Sequence, residues 1–324
     1  MSALFFAREP DDDSLDRAAS IDPDNPFLVA SYLRAQREVG QDGWLLGVED
    51  GVNVQSAALC FLRSGRLRRT LTMPSAPSLA ADSPFWSGLE TFCRQHGITD
   101  LDISTFASPE SIIPPMPGES ARIQRAEYVL SLQGTDILAG LSKHHRERIK
   151  KARKRSLVVR RDRSTVALDS HIALHGHSMD RRKSRGESVL QDYARVFPAA
   201  VLGAGAGELF QALLGDEVAA SLLVLRSSRG AYFESAGNSS EGMGMGASHF
   251  LLYETALLLQ AEGVETFFLG GAREHETGLR AYKAGFGARA VDTEAVSAYI
   301  GGRFRHRLSS LVESVRAMRT ASPP

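Results

Sequence analysis

Apolar residues change their period along this chain, and each change marks an element. From Phe250 to Leu259 the sequence reads FLLYETALLL, apolar around most of a helical circumference. That pattern predicts a buried helix. Ahead of it, Ala231–Ala236 sets Tyr232 and Phe233 beside small residues and reads as a strand. Gly237, Gly242, Gly244 and Gly246 lie between the two. Gly263 stops the helix, and Val264–Leu269 is a second strand. The central unit is therefore strand, glycine-rich loop, buried helix, strand.

The same reading extends outward. Phe27–Val39 reads as a helix. Trp44–Val48, Gln55–Leu62 and Leu67–Met73 read as strands separated by turns. Ser83-Pro84 opens a helix over Phe85–His96, with Pro at its first position. Leu101–Ile103 and Glu127–Leu132 are further strands. Residues 1–25 are acidic and proline-punctuated, which predicts a loose lead-in. Thr135 is placed to cap a helix over 135–156, with Asp136 in its first turn. Leu138, Leu141, His145, Ile149 and Ala152 form its narrow apolar stripe. Leu157–Arg160 is then a strand. Ala167–Met179 reads as a helix, followed by a basic loop, DRRKSRGES, and a helix over Ser188–Phe197. Glu208–Leu214 and Val218–Leu225 flank Gly215-Asp216 as a hairpin. Gly301–Arg307 and Leu308–Met318 form a basic C-terminal segment.

Charge changes this picture in one place. The chain of 324 residues has a formal net charge of +0, so no global field draws a polyanion. Yet the helix over 135–156 carries Lys143, Arg146, Arg148, Lys150, Lys151, Arg153, Lys154 and Arg155 against Glu147 alone. A local phosphate contact is the reading of so dense a run. Cys60 and Cys93, the only cysteines, exclude a disulfide framework or a cysteine-rich metal site, and both read as small buried hydrophobes. The first apolar run is too short for a signal peptide, and nowhere do eighteen apolar residues follow one another. The chain reads as cytoplasmic, and its length favours two domains.

Glu241, Gly244 and Gly246 are spaced as in the Q/R-x-x-G-x-G/A loop of GNAT acyltransferases, with Glu where Gln or Arg is usual. LGGAREHETGLRAYKAGFGA, Leu269–Ala288, resembles the C-terminal signature of FemAB-like transferases. In these a strand ends in Gly-Gly, and a short helix carries F/Y-K-x-G-F-G. LSKHHRERIKKARKRSLVV is similar to their segment L-S-x-x-x-R-x-x-I-x-x-A-x-x-x-G-L-x-V, which precedes a strand. The resemblance implies a mixed α/β fold of two tandem GNAT-like domains. The domain limits are then 26–133, degenerate and without a glycine loop, and 134–324, which carries the complete core. It further implies an N-acyltransferase that moves an aminoacyl group from aminoacyl-tRNA to the amine of a small peptide or peptide-like acceptor. Acyl-CoA is the alternative donor. A non-catalytic RNA-binding or scaffold protein on the same fold is the alternative of a different class.

Direct transfer requires an amine, an activated ester or thioester, and groups that move protons and hold developing charge. It needs no metal and no resident cofactor. Lys283 is the candidate for developing charge at the donor end, and Glu234 the candidate base, with His275 and Glu276 as another. Gly242, Gly244, Gly246 and Ala247 form the candidate donor loop, because helix N-termini bind phosphate. Lys150, Lys151 and Lys154 extend that donor surface. Arg181, Arg182, Arg185 and Arg280 are the candidates for the acceptor. His249, Tyr253 and Tyr282 read as core.

Overall fold

The structure, a computed structural model, describes residues 3–107, 112–186 and 195–301. In chain order come β1 (Leu4–Arg8), α1 (Asp12–Ile21), α2 (Ala30–Glu38), β2 (Asp42–Asp50), β3 (Asn53–Ser64), β4 (Arg69–Ala76), α3 (Pro84–Gln95), β5 (Asp100–Thr105) and β6 (Glu119–Ser131). Next are α4 (Ile137–Gly140), α5 (Lys143–Lys154), β7 (Val158–Arg161), α6 (Thr165–Ser184), α7 (Val196–Gly203), β8 (Gly207–Leu214) and β9 (Glu217–Arg226). Last are β10 (Gly230–Asn238), α8 (Ser240–Met245), α9 (Ala247–Ala261), β11 (Thr266–Ala272), α10 (Thr277–Ala284) and β12 (Arg289–Tyr299).

Two compact units share this chain. The first takes Met1–Ile21, Gly40–Gln124 and the chain from Thr293; the second takes Asp22–Val39 and Arg125–Asp292. Strands of the first run in the order β1-β2-β3-β4-β5-β12. An antiparallel meander over β2, β3 and β4 is followed by α3, which returns the chain to β5, parallel to β4. Phe85, Leu89, Phe92 and Cys93 of α3 pack with Leu71, Met73 and Ile103 of the sheet in one apolar cluster. β12 then pairs antiparallel with β5.

The second unit repeats the plan in the order β7-β8-β9-β10-β11-β6. Antiparallel β8, β9 and β10 lead through α8 and α9 to β11, parallel to β10, and β6 pairs antiparallel with β11. Side chains alternate along a strand, so each face has its own cover. Phe210 and Ala212 share a core with Leu251, Leu252 and Leu259 of α9. From the opposite face Gln211 donates to the Ala167 carbonyl of α6 at 3.0 Å. The fold is thus mixed α/β in two halves of one plan, as the resemblance implies. The first half closes its sheet with β12, from much later in the sequence, and the second with β6, the strand that opens its main segment.

Four expectations are corrected. Residues 3–21 are not a loose lead-in. β1 pairs with β2, and α1 buries Leu15 and Ala18 completely. The acids there serve the helix: the Asp11 carboxylate accepts from the Ser14 amide at 2.7 Å, while Asp12 and Asp13 sit in the first turn. The helix over 135–156 is two helices. Asp136, not Thr135, caps α4; Leu141 is extended; Ser142 caps α5. The basic DRRKS run is not a loop, because α6 continues to Ser184. Phe27–Val39 belongs to the second unit, so the limits 26–133 and 134–324 do not match the compact units. Most of the helix expected over Ser188–Phe197, and nearly all of the C-terminal segment, lie outside the described residues.

Leu15 tests the first correction. Leu15→Ala should cost about 2–4 kcal/mol, read as a lower denaturant midpoint at unchanged slope. A loss below about 0.5 kcal/mol, typical of surface positions, would return residues 3–21 to the status of a lead-in.

Candidate active site

β10 and β11 begin as parallel neighbours. Their pairing covers Gly230–Tyr232 against Thr266–Phe268. Both strands then slip register against their other partners, β10 between Phe233 and Ser235, and β11 between Phe268 and Gly271. Bulges of this kind re-aim side chains and end pairing. Glu234 sits in the first bulge and Leu269-Gly270 in the second, with Gly271 resuming the pairing.

Lys283 arrives there from α10. It is buried, with only 5% of its surface exposed, and its ammonium donates to the Gly271 carbonyl at 2.8 Å. A Cβ on Gly270 would meet that ammonium at 3.3 Å. Glu127 stands opposite Gly271 in the β6–β11 register and is 3% exposed. Its Oε1 is buried and has no hydrogen-bond partner. Burial pushes the Glu127 carboxyl above the usual carboxylate range, against the pull of Lys283, Arg125 and the Gly270 amide. Burial likewise pushes the Lys283 ammonium down, while Glu127 and Glu276 support its charge and Arg125 and Arg182 oppose it. Burial raises the Tyr232 phenol, and Glu127 adds to that effect.

The other expected residues lie around or beyond this pair. The charge of Glu234 acts on Tyr32 and Tyr232. Arg182 pairs with Glu276 at 2.9 Å. Arg181 donates to the Asn238 carbonyl at 2.7 Å, Arg280 to the Tyr128 hydroxyl at 3.2 Å, and Arg185 caps the end of α6. His275 is exposed. Lys150, Lys151 and Lys154 are exposed on α5, away from the buried pair. The expectation missed Glu127. Its only trace is an acid at the head of the apolar strand AEYVLSL.

The glycine loop differs from a ligand cradle. α8 fills it, and a Cβ at Gly242 would lie 2.2 Å from the Ala219 carbonyl. At Gly246 (φ +82) it would lie 2.6 Å from the Arg148 carbonyl. These two glycines admit neighbouring backbone; Gly244 faces open space. Ala247 opens α9 and is fully buried.

The Gly-Phe-Gly run after Lys283 docks α10 on α5. A Cβ at Gly285 would meet the His145 ring at 2.2 Å. Nε2 of His145 donates to the Tyr282 carbonyl at 2.8 Å, which leaves Nδ1 to accept from the Ser142 hydroxyl at 2.9 Å. Burial lowers the proton affinity of this ring, in keeping with a neutral imidazole. Phe286 is fully buried beside it, and the Gly285 carbonyl accepts from the Ser142 amide at 2.8 Å. His249 packs edge-on against His145 at 4.6 Å, and burial pushes it down to about 3. Tyr282 donates to the Ser248 carbonyl, and Arg153 lies over the Tyr253 ring.

A strand, helix and splayed parallel strand, with a charged pair at the opening, is the arrangement of one acyltransferase fold. Residues 141–284 match the acetyltransferase (GNAT) domain family. The second unit has the GNAT fold. FemX has a similar structure, with TM-score 0.64 and 13% identity over 89% of this chain and 96% of its own. A tandem GNAT protein from the clavulanic acid biosynthesis pathway gives 0.55 at 17% identity, over 93% and 99%. L-PGS from Bacillus licheniformis gives 0.55 at 13%, over 91% and 94%. No curated protein matches the sequence. Among the described residues no helix is long and apolar enough to cross a membrane.

The docking of the GNAT domain's lysine helix is open to a double-mutant cycle. Gly285→Ala should destabilise the protein by several kcal/mol, since the imidazole has no room to give. Adding His145→Ala should recover about 1–3 kcal/mol of that loss. Strictly additive effects in thermal unfolding would show that the two residues do not press on each other.

Proposed function

We propose that this GNAT acyltransferase moves an aminoacyl group from aminoacyl-tRNA to the amine of a small peptide or peptide-like acceptor. The observation that carries the choice of donor is the pairing of a filled glycine loop with a basic helix beside it. The loop is folded into α8, with Gly242 and Gly246 packed on backbone, and exposed Glu241 adds a charge that repels phosphate. On α5, Lys150, Lys151 and Lys154 are exposed and make no ion pair among the described residues. Arg153 and Arg148 instead turn inward, to Glu254 and to the Met243 carbonyl. Leu138 and Ile149 lie between these cations on a shallow floor, so a backbone with regularly spaced phosphates fits better than one compact pyrophosphate.

Lys283 then stands at the donor's acyl end. As the amine attacks, negative charge grows on the acyl oxygen, and a fixed ammonium out of water stabilises it strongly. Arg182 on α6 and Arg280 on α10, the helix that carries Lys283, are the side chains we assign to an acidic part of the acceptor. The family match, described as an acetyltransferase, favours acyl-CoA as a second reading.

Two experiments test this function. Reversing Lys150, Lys151 and Lys154 to Glu should weaken tRNA binding and leave the fold intact. In the unaltered protein, log affinity should fall against log salt with a slope of about −3 if some ~4 phosphates are neutralised. Binding that ignores the reversal, together with consumption of acetyl-CoA, would establish the second reading. Lys283→Ala should lower transfer about a hundredfold with either donor, and Lys283→Arg should restore only part of it. Turnover within twofold of the unaltered protein would remove Lys283 from the chemistry.

A further inference from the structure

Glu127 has no part in the reading so far, yet it is the most buried described carboxylate of the second unit. It lies on β6, the strand that this unit takes from the middle of the chain, directly across the β11 bulge. A buried acceptor without a donor costs about 1–3 kcal/mol, more when charged, and native chains rarely retain one without a use. Glu127 Oε2 comes within 3.6 Å of where a Gly271 Cβ would be, and Lys283 is bonded to the carbonyl of that same Gly271. Gly271 is partly exposed.

We propose that Glu127 and Lys283 act together as a proton relay in acyl transfer, with Glu127 taking the proton from the acceptor nitrogen. The inference rests on the acyl-transfer reading above and is independent of which donor is used. A neutral amine attacks the acyl carbon, and a C–N bond forms. The adduct nitrogen gives one proton to the Glu127 carboxylate. The C–O bond to the donor breaks (C–S for a thioester), and the leaving atom takes a proton from the Lys283 ammonium. Glu127, now a carboxylic acid, returns its proton to the Lys283 amine, so the pair ends as it began. Products are the amide and the free hydroxyl or thiol, with no net proton change. Burial moves the two groups' proton affinities toward each other, up for Glu127 and down for Lys283. Around Glu127 stand Lys283 on α10, Arg125 on β6 and Tyr232 on β10. Arg182 on α6 and Glu276 before α10 act on Lys283. Activity therefore falls at low pH when Glu127 is protonated, and at high pH when Lys283 loses its proton. The two limbs belong to the pair jointly.

The experiment uses the full chain, with charged total tRNA and acetyl-CoA as donors and hydroxylamine as the acceptor probe. Glu127→Gln keeps the shape, and its thermal unfolding is checked first. It should lower kcat by 100-fold or more, leave the donor KM within threefold, and abolish the acid limb of the pH profile. An unchanged kcat with the acid limb intact overturns the relay. So does a loss confined to KM, which would make Glu127 a seat for an ammonium. A second readout needs no turnover. Carbon-13 NMR of labelled glutamate carboxyls should find Glu127 titrating higher in Lys283→Met than in the unaltered protein. Identical titration in both overturns the proposal even where neither donor is consumed. Absence of transfer from both donors with a coupled titration would instead count against the acyl-transfer reading alone.

Discussion

Holding a lysine ammonium out of water is the constraint on which the second unit turns. Removing such an ion from solvent costs several kcal/mol unless partners replace the lost hydration. Lys283 is bonded to the Gly271 carbonyl and supported by the charge of the Glu127 carboxylate, beside the place where β11 slips its register. A regular strand would spend that carbonyl on its neighbour in the sheet. The helix that carries the lysine must also be fixed. Gly285 admits the His145 ring, and His145 is in turn locked by Ser142 and the Tyr282 carbonyl. The two sequence signatures of the second half, one before the basic helix and one after the lysine, are thus two sides of a single joint.

Much of the architecture was legible because it rests on local periodicity. The buried helix, its flanking strands and the Pro-opened α3 all follow from spacing alone. What escaped has physical reasons. The acids at Asp11, Asp12 and Asp13 look like a solvated run until Leu15 and Ala18 are seen to be buried behind them. Leu141 breaks a strongly helical stretch because Ser142 must cap α5 and take the Gly285 contact, a demand from more than a hundred residues away. The glycines of the donor loop were read as open to a ligand, yet Gly242 and Gly246 are small for the sake of other backbone. Lys283 was legible from its motif and Glu127 was not. A lone acid in a strand shows its burial only once the opposing bulge is known.

The same distinction separates the surfaces of α5. Its sequence reads as one basic face, but the structure sorts it. Arg148 and Arg153 are tied to α8 and α9, and only the lysines and the remaining arginines stay available to solvent. Arginine suits the fixed contacts, because its planar fork matches carbonyl and carboxylate geometry, whereas lysine is a mobile point charge.

The closing strands of the two sheets set the order in which the chain can fold. β5 finds its antiparallel neighbour in Thr293–Tyr299, nearly two hundred residues later. The first unit therefore stays an open sheet during synthesis until almost the last described residue has emerged. β6 has left the ribosome long before, yet its partner β11 follows only after α9. Pairings this distant in sequence slow folding and leave strand edges exposed while they wait. Cutting the gene before Arg125 would leave the first product without β12, the strand that finishes its sheet.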